Sequence, residues 1–103
     1  MNAEDEKLIT LARASRARTG AAEGAAVRDD MGRTYAAATV ALSSLSLSAL
    51  QTAVAAAVSS GAQRLEAAAL VTDAEPSDED RAVADELGVA AVIVADPSGT
   101  VRS

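Results

Sequence analysis

The sequence contains neither cysteine nor histidine. Without thiols the chain forms no disulfide and has no cysteine nucleophile, and without imidazole it lacks the side chain that most readily moves protons near neutral pH. Thiolates and imidazoles are also the common protein ligands of zinc. Together the two absences exclude several widespread classes of catalytic and metal-binding site.

Aromatic residues are almost absent as well. They make up 1% of the 103 residues, although 50% of the residues are hydrophobic. The core must therefore consist of Ala, Val, Leu and Ile, whose small side chains each bury little area and contribute correspondingly little stabilisation. A chain of this length is expected to form one domain, residues 1–103, whose core would gain from a subunit interface.

Positive charge is scarce relative to negative charge. The formal net charge of −6 would repel nucleic acid and anionic membranes over most of the surface. No segment approaches the ~20 uninterrupted apolar residues of a membrane-spanning helix, and the N-terminal MNAEDEK is acidic where a signal peptide is basic and then apolar. We therefore predict a cytoplasmic protein that binds neither nucleic acid nor membranes.

The stretch LSLSALQTAVAAAVSSG is the centre of the predicted fold. Ser48 and Gln51 have the S-x-x-Q spacing of a capping box, in which each side chain bonds a backbone N–H at the helix start. Gly61 supplies a residue that ends a helix at little steric cost. One face is apolar at helical spacing, at Leu50, Ala53, Val54, Ala57 and Val58. We predict a buried central helix from about Ser48 to Ser60.

Segments on either side of this helix predict the remaining elements. Two further helices are expected over residues 4–18 and 77–87, each with acidic residues in its first turn. Short apolar runs predict strands over residues 25–28, 33–41, 67–72, 90–95 and 100–102. One hairpin and several helical crossovers give an α/β fold with three layers, α/β/α, and a mixed five-stranded sheet.

Four places in the chain carry a family resemblance. The first is Gly24-Ala25-Ala26-Val27 with the turn at residues 30–33, and the second is the central segment, residues 47–61. The third is the run 65–71 followed by Pro76, and the fourth is residues 92–101. Laid end to end, from about Leu8 to Val101, these pieces resemble the small cytidine deaminase family.

The resemblance implies a zinc centre whose residues are replaced here. In the family, three thiolate or imidazole ligands hold Zn²⁺, which activates a water, and a glutamate moves the proton during attack on the cytosine. The matching positions are Ser48, Ser77 and Asp80 for the ligands and Leu50 for the glutamate. Serine hydroxyls are not deprotonated near neutral pH, so two serines and an aspartate do not make a zinc site. We expect neither zinc nor another cofactor.

Substrate recognition is expected to be lost too. The family holds the ribose through an Asn-x-Glu-Asn stretch, and residues 39–42 stand there in this chain, with Thr39 and Ala41 as degenerate binding positions. The sequence therefore predicts a catalytically inactive member with no catalytic, ligand-binding or metal-binding residues, which is not an enzyme and acts by binding or oligomeric assembly. Because active subunits of the family assemble, we expect a homo-oligomer, either a dimer or a tetramer.

A different interpretation starts from acidic residues near the third helix. Clustered carboxylates bind Mg²⁺ or Ca²⁺, so an enzyme or metal-binding protein with a new acidic site is the alternative. The cluster comprises Asp73, Glu75, Asp78, Glu79 and Asp80. Acidic residues in a first helical turn are also what the helix dipole favours, and their spacing matches no known metal-binding loop. The alternative is therefore the weaker of the two.

Overall fold

The computed structural model describes residues 1–102 of the chain. The helices are α1 (Ala3–Thr19), α2 (Ala49–Ser59) and α3 (Asp78–Glu86). The strands are β1 (Gly24–Asp29), β2 (Thr34–Ala38), β3 (Val40–Ala41), β4 (Ser46–Leu47), β5 (Leu65–Val71) and β6 (Ile93–Ala95). Among residues 1–102 no helix has both the length and the apolar character needed to cross a membrane.

Four strands form a mixed sheet in the order β2-β1-β5-β6. Strand β1 runs antiparallel to both of its neighbours, whereas β5 and β6 are parallel. The connection between β5 and β6 passes through α3, as parallel neighbours require. The predicted mixed sheet between helical layers is confirmed.

The alternation of side chains along the strands creates a core on each face of the sheet. Ala25 and Val27 of β1 point to one face, where they pack with residues of α2 such as Leu50. Ala26 points to the other face and packs against α1, where Leu8 and Ala12 are fully buried. Because successive strand residues face opposite sides, β1, with its small residues, contributes side chains to the cores on both faces of the sheet. The three-layer α/β/α arrangement follows.

The strand count differs in detail from the expectation of five. The last predicted strand, residues 100–102, contributes one isolated bridge between Ala95 and Val101. The predicted run 90–95 forms a strand over Ile93–Ala95 alone, because the preceding residues carry the chain from α3 back to the sheet. A separate two-stranded pair, β3 with β4, occupies the connection into α2.

The central helix α2 follows its predicted pattern closely. Leu50, Ala53, Val54 and Ala57 are buried against the sheet, as the spacing indicates. Val58, the last member of the predicted face, is instead 48% exposed. An ideal helix turns 100° per residue, so a residue at the edge of the apolar stripe drifts toward solvent near the end of the helix.

Candidate functional site

Helix α2 begins at a complete capping box. The Ser48 hydroxyl oxygen accepts from the Gln51 backbone N–H at 3.0 Å, and the Gln51 side-chain oxygen accepts from the Ser48 N–H at 2.9 Å. The two bonds satisfy N–H groups that have no partner inside the helix. The cap that the sequence predicts is present at the predicted residue.

Helix α3 begins in the same way. The Ser77 hydroxyl oxygen accepts from the Asp80 N–H at 3.0 Å, and Asp80 Oδ2 accepts from the Ser77 N–H at 3.2 Å. Asp80 differs from an ordinary capping aspartate because it is only 2% exposed. A buried carboxylate requires hydrogen bonds to both of its oxygens to offset the loss of water.

The second carboxylate oxygen of Asp80 joins the two helix starts. The Ser48 hydroxyl donates to Asp80 Oδ1 at 2.5 Å, across 32 positions of sequence. The structure therefore brings together Ser48, Ser77 and Asp80, the three positions that the resemblance pairs with metal ligands. They form one hydrogen-bonded link between α2 and α3, which we call the N-terminal link.

Leu50 is the second residue of α2 and takes no part in the link. Its side chain is fully buried in the apolar core beneath the helix, with Ala25 and Val27 of β1 in the same cluster. A glutamate at this position would have to face polar surroundings to exchange protons. The Leu50 position serves packing instead.

The two degenerate binding positions of the sequence form no hydrogen bonds with the link in the part of the chain that the structure describes. Thr39 holds the chain beside β1, because its hydroxyl oxygen accepts from the Glu23 N–H at 3.1 Å. Ala41 belongs to β3 and pairs with Ser46 of β4. Neither side chain has a hydrogen bond to Ser48, Ser77 or Asp80 within the described chain.

The acidic residues of the alternative site do not converge. The Asp73 carboxylate lies 3.9 Å from Arg16, and Glu75 is 3.3 Å from Arg102. Asp78 and Glu79 are exposed in the first turn of α3, whereas Asp80 is turned inward. No group of three or more His, Cys, Asp or Glu side chains within residues 1–102 is placed to hold a metal ion. The geometry therefore favours the simpler interpretation, in which these carboxylates balance the helix dipole and nearby arginines.

Three surface clefts lie elsewhere on the described chain. The volume of the first is about 570 Å³, and it runs along the outer side of α3 between Pro76 and Val94. The other two measure about 350 and 290 Å³ and lie beside α1 and at the hairpin turn. None of these three clefts is lined by a residue of the N-terminal link.

A family model described as cytidine deaminase-like matches residues 1–99, nearly the whole chain. This chain belongs to the cytidine deaminase-like family. The resemblance read from the sequence is thereby confirmed, together with the fold it implies. No curated protein sequence matches the chain.

Solved structures support the same assignment. Cytidine deaminase from Burkholderia pseudomallei matches with a TM-score of 0.80 at 26% identity, over 99% of this chain and 91% of that chain. Cytidine deaminase from Mycobacterium tuberculosis matches with a TM-score of 0.75 at 28% identity, over 98% of this chain and 90% of that chain. The Mycobacterium leprae enzyme, at 23% identity and a TM-score of 0.68, is similar in fold over 98% of this chain and 93% of that chain.

The prediction that this protein is not an enzyme is wrong in the light of these matches. The solved structures that cover almost all of this cytidine deaminase-like chain are cytidine deaminases, and they point to an enzyme. The prediction rested on four side chains, Ser48, Leu50, Ser77 and Asp80, whereas the similarity extends over the whole fold. Replacement of the residues at these four positions does not by itself decide whether a fold carries an activity.

The residues at the ligand positions of this cytidine deaminase-like chain do not fit zinc. Both oxygens of Asp80 accept hydrogen bonds, and both serine hydroxyls cap helices. Across residues 1–102 every buried side-chain nitrogen or oxygen has a hydrogen-bond partner. No buried side-chain nitrogen or oxygen in this range is therefore left without a partner that a metal could replace. Serine oxygen is a poor zinc ligand because it remains protonated. We assign no chemistry of this chain to zinc.

One surface feature escaped the sequence reasoning. Residues 34–63, between Arg33 and Arg64, contain no Asp, Glu, Lys or Arg. They form β2, β3, β4 and α2, and the exposed apolar side chains among them are Leu42, Leu45 and Val58. We call this segment the uncharged segment. A scan for charge along the chain would have found it, because at 30 residues it is the longest stretch of the sequence without a charged residue.

Proposed function

We propose that this protein is a zinc-free member of the cytidine deaminase-like family that assembles with further copies of itself. The observation that carries the proposal is the uncharged segment, residues 34–63. Interface cores are depleted of charged residues relative to the remaining surface. A segment without charge that also exposes apolar side chains is suited to such a core.

The shape of α2 supports the same role. Ala55 and Ala56 lie on its exposed side, and small side chains allow a second helix to approach closely. Leu42 and Leu45 are 62% and 49% exposed on the connection that leads into α2. Burying these side chains against a second copy would add apolar area to a core poor in large residues.

The distribution of charge supports contact through this segment in particular. The whole net charge of −6 is carried by residues outside 34–63. Two copies that meet through the uncharged segment keep their acidic surfaces apart, whereas contact between those acidic surfaces brings like charges together. The expected product is a closed dimer or tetramer, since such symmetric assemblies are the commonest homo-oligomers.

Light scattering at micromolar concentration tests the assembly. The wild-type protein is expected to show the mass of a dimer or tetramer, and Ala55→Glu is expected to shift it toward the monomer by placing like charges in the contact. Ala82→Glu is the matched control, because Ala82 is an exposed alanine on α3. A monomeric wild type, or equal masses for the two variants, would contradict the proposal.

The zinc-free character is tested separately. Protein purified with zinc present is expected to hold far less than one ion per chain, as measured by elemental analysis. Because the matched structures are cytidine deaminases, the same sample is assayed on cytidine with and without a chelator. One bound zinc per chain, with turnover abolished by the chelator, would show that the metal route is intact and refute this part of the proposal.

A further inference from the structure

The N-termini of α2 and α3 meet at a single carboxylate. Asp80 Oδ1 accepts from the Ser48 hydroxyl at the start of α2, and Asp80 Oδ2 accepts from the Ser77 N–H at the start of α3. The carboxylate is 2% exposed, so water does not screen these contacts effectively. Both helices therefore depend on one buried charge.

The electrostatics at this point are favourable for a buried anion. Each helix N-terminus carries roughly half a positive elementary charge from its aligned peptide dipoles. The first turn of α2 contains no acidic residue, whereas the first turn of α3 contains Asp78, Glu79 and Asp80, of which only Asp80 is buried. Asp80 is therefore placed to neutralise the positive ends of both helices at once.

A zinc ion held at the same three positions would produce a similar charge. Three thiolates around a divalent cation carry a net charge of −1, and the Asp80 carboxylate between two neutral serines also carries −1. A metal bound there would also join α2 to α3, since the first ligand position lies on one helix and the other two on the second.

We infer that the N-terminal link of Ser48, Ser77 and Asp80 performs the structural role that a metal would have at these positions: it fastens α2 to α3 and supplies the same local charge. The inference rests on the zinc-free part of the proposed function and is independent of assembly. Asp80 acts in it as a positioning residue for both helices.

Replacing the charge without changing the shape tests the inference. Asp80→Asn is expected to lower the melting temperature by roughly 5 to 15 °C, because it removes a charge-assisted hydrogen bond and the anion shared by two helix starts. Asp78→Asn is the control, since Asp78 lies in the same first turn of α3 but is exposed, and Ser48 bonds Asp80 instead. A shift for Asp80→Asn no larger than that for Asp78→Asn would overturn the inference.

A double-mutant cycle isolates the contact between the helices. Ser48→Ala and Asp80→Asn are measured alone and together, and the combined loss in melting temperature is expected to be several degrees smaller than the sum of the two. Strict additivity would mean that the two side chains stabilise separate helices and would refute the link.

A variant with restored metal ligands tests the inference even if the Asp80→Asn protein fails to fold. The triple variant Ser48→Cys, Ser77→Cys, Asp80→Cys is expected to bind one zinc ion per chain and to melt at a higher temperature with zinc than without it. Wild-type protein in the same zinc solution is expected to show no rise. Failure of the triple variant to bind zinc, or an equal rise in the wild type, would count against the inference. A monomeric mass in light scattering would refute assembly alone.

Discussion

Asp29 shows how this chain accommodates a buried carboxylate in a turn. Its Oδ1 accepts from the N–H groups of Met31 and Arg33, each at 2.9 Å, and its Oδ2 accepts from the Tyr35 hydroxyl at 3.2 Å. Burial alone would raise the pKa of Asp29, but these three hydrogen bonds favour the ionised form, and the net effect is a lowered pKa. The hairpin turn is therefore held by a charged acceptor.

The pH dependence of stability follows from the direction of that shift. The pKa of Asp29 lies below its ordinary value of 3.8, so its ionised form stabilises the fold above about pH 4, and this contribution is lost as the pH falls through the folded pKa. Asp29→Asn is expected to melt below the wild type at pH 7, and the gap should narrow between about pH 5 and pH 2. Thermal unfolding followed by circular dichroism checks this, with the exposed Asp30→Asn as control. A gap independent of pH would contradict it.

Single residues were predictable where the interaction is local. The capping box at Ser48 involves a partner three positions away, and its role follows from the S-x-x-Q spacing. The burial of Asp80 was not predictable, because an acidic residue in a first helical turn is usually exposed. Its partner Ser48 lies 32 positions away, and only the packing of α2 beside α3 brings the two together.

At the scale of elements, Gly24 marks the closest approach of α1 to the sheet. A Cβ atom added there would lie 2.0 Å from the Ala12 carbonyl oxygen and 2.9 Å from Arg16 Cβ. The first of these is backbone, so it cannot turn aside. Helix α1 therefore rests on β1 at a distance that only glycine permits.

Gly24→Ala is expected to force α1 away from β1 and to lower the free energy of unfolding by about 2 to 3 kcal/mol, in the upper range for overpacking. Urea unfolding measures the loss. Gly20→Ala provides the comparison, because Gly20 has a φ of +66° but open space around it, so its cost comes from backbone strain alone, about 1 kcal/mol. A smaller loss of unfolding free energy for Gly24→Ala than for Gly20→Ala would contradict this prediction. It would show that α1 shifts away from β1 at little cost.

The elements themselves were predictable to the extent that their pattern is regular. Helices α1, α2 and α3 lie within a residue or two of their expected bounds, because caps and breakers mark their ends. The run AAVIVA has the composition of a strand throughout, yet only Ile93–Ala95 pairs with β5. The short β3–β4 pair has no such pattern, since each strand is two residues long and too short to show a period.

On the scale of the whole molecule, the core contains few large side chains. The buried side chains of largest volume include Leu8, Leu50 and Leu70, and many other core positions are alanine. Since small side chains bury little area, burial of apolar surface contributes little stabilisation to the isolated chain. Association through the uncharged segment would raise its stability.

Stability is therefore expected to depend on protein concentration. If assembly accompanies folding, the melting temperature should rise by about 3 to 5 °C for each tenfold increase in concentration. Scanning calorimetry over two decades of concentration measures this, and Ala55→Glu is expected to remove the dependence while Ala82→Glu retains it. A melting temperature that does not move with wild-type concentration would contradict coupled assembly and folding.

The family was predictable from the sequence, but the consequence for function was not. Motifs around Gly24, along α2 and near residues 92–101 are spread over the chain, so they identify a fold even at 26% identity. The residues at Ser48, Leu50, Ser77 and Asp80 bear on one chemical route, which is zinc-dependent deamination. They do not exclude enzymatic activity in general, so the prediction drawn from them went too far. Fold and chemistry are encoded by different residues in this molecule.

The uncharged segment also matters before the protein is folded. A nascent chain exposes residues 34–63 to solvent, and charged residues that would interrupt aggregation stand only at its borders, at Arg33 and Arg64. In the folded chain β2 pairs with β1, and the buried face of α2 packs against β1 and β5, so part of this stretch is covered only when those strands are in place. Until then the stretch is available for aggregation with other chains.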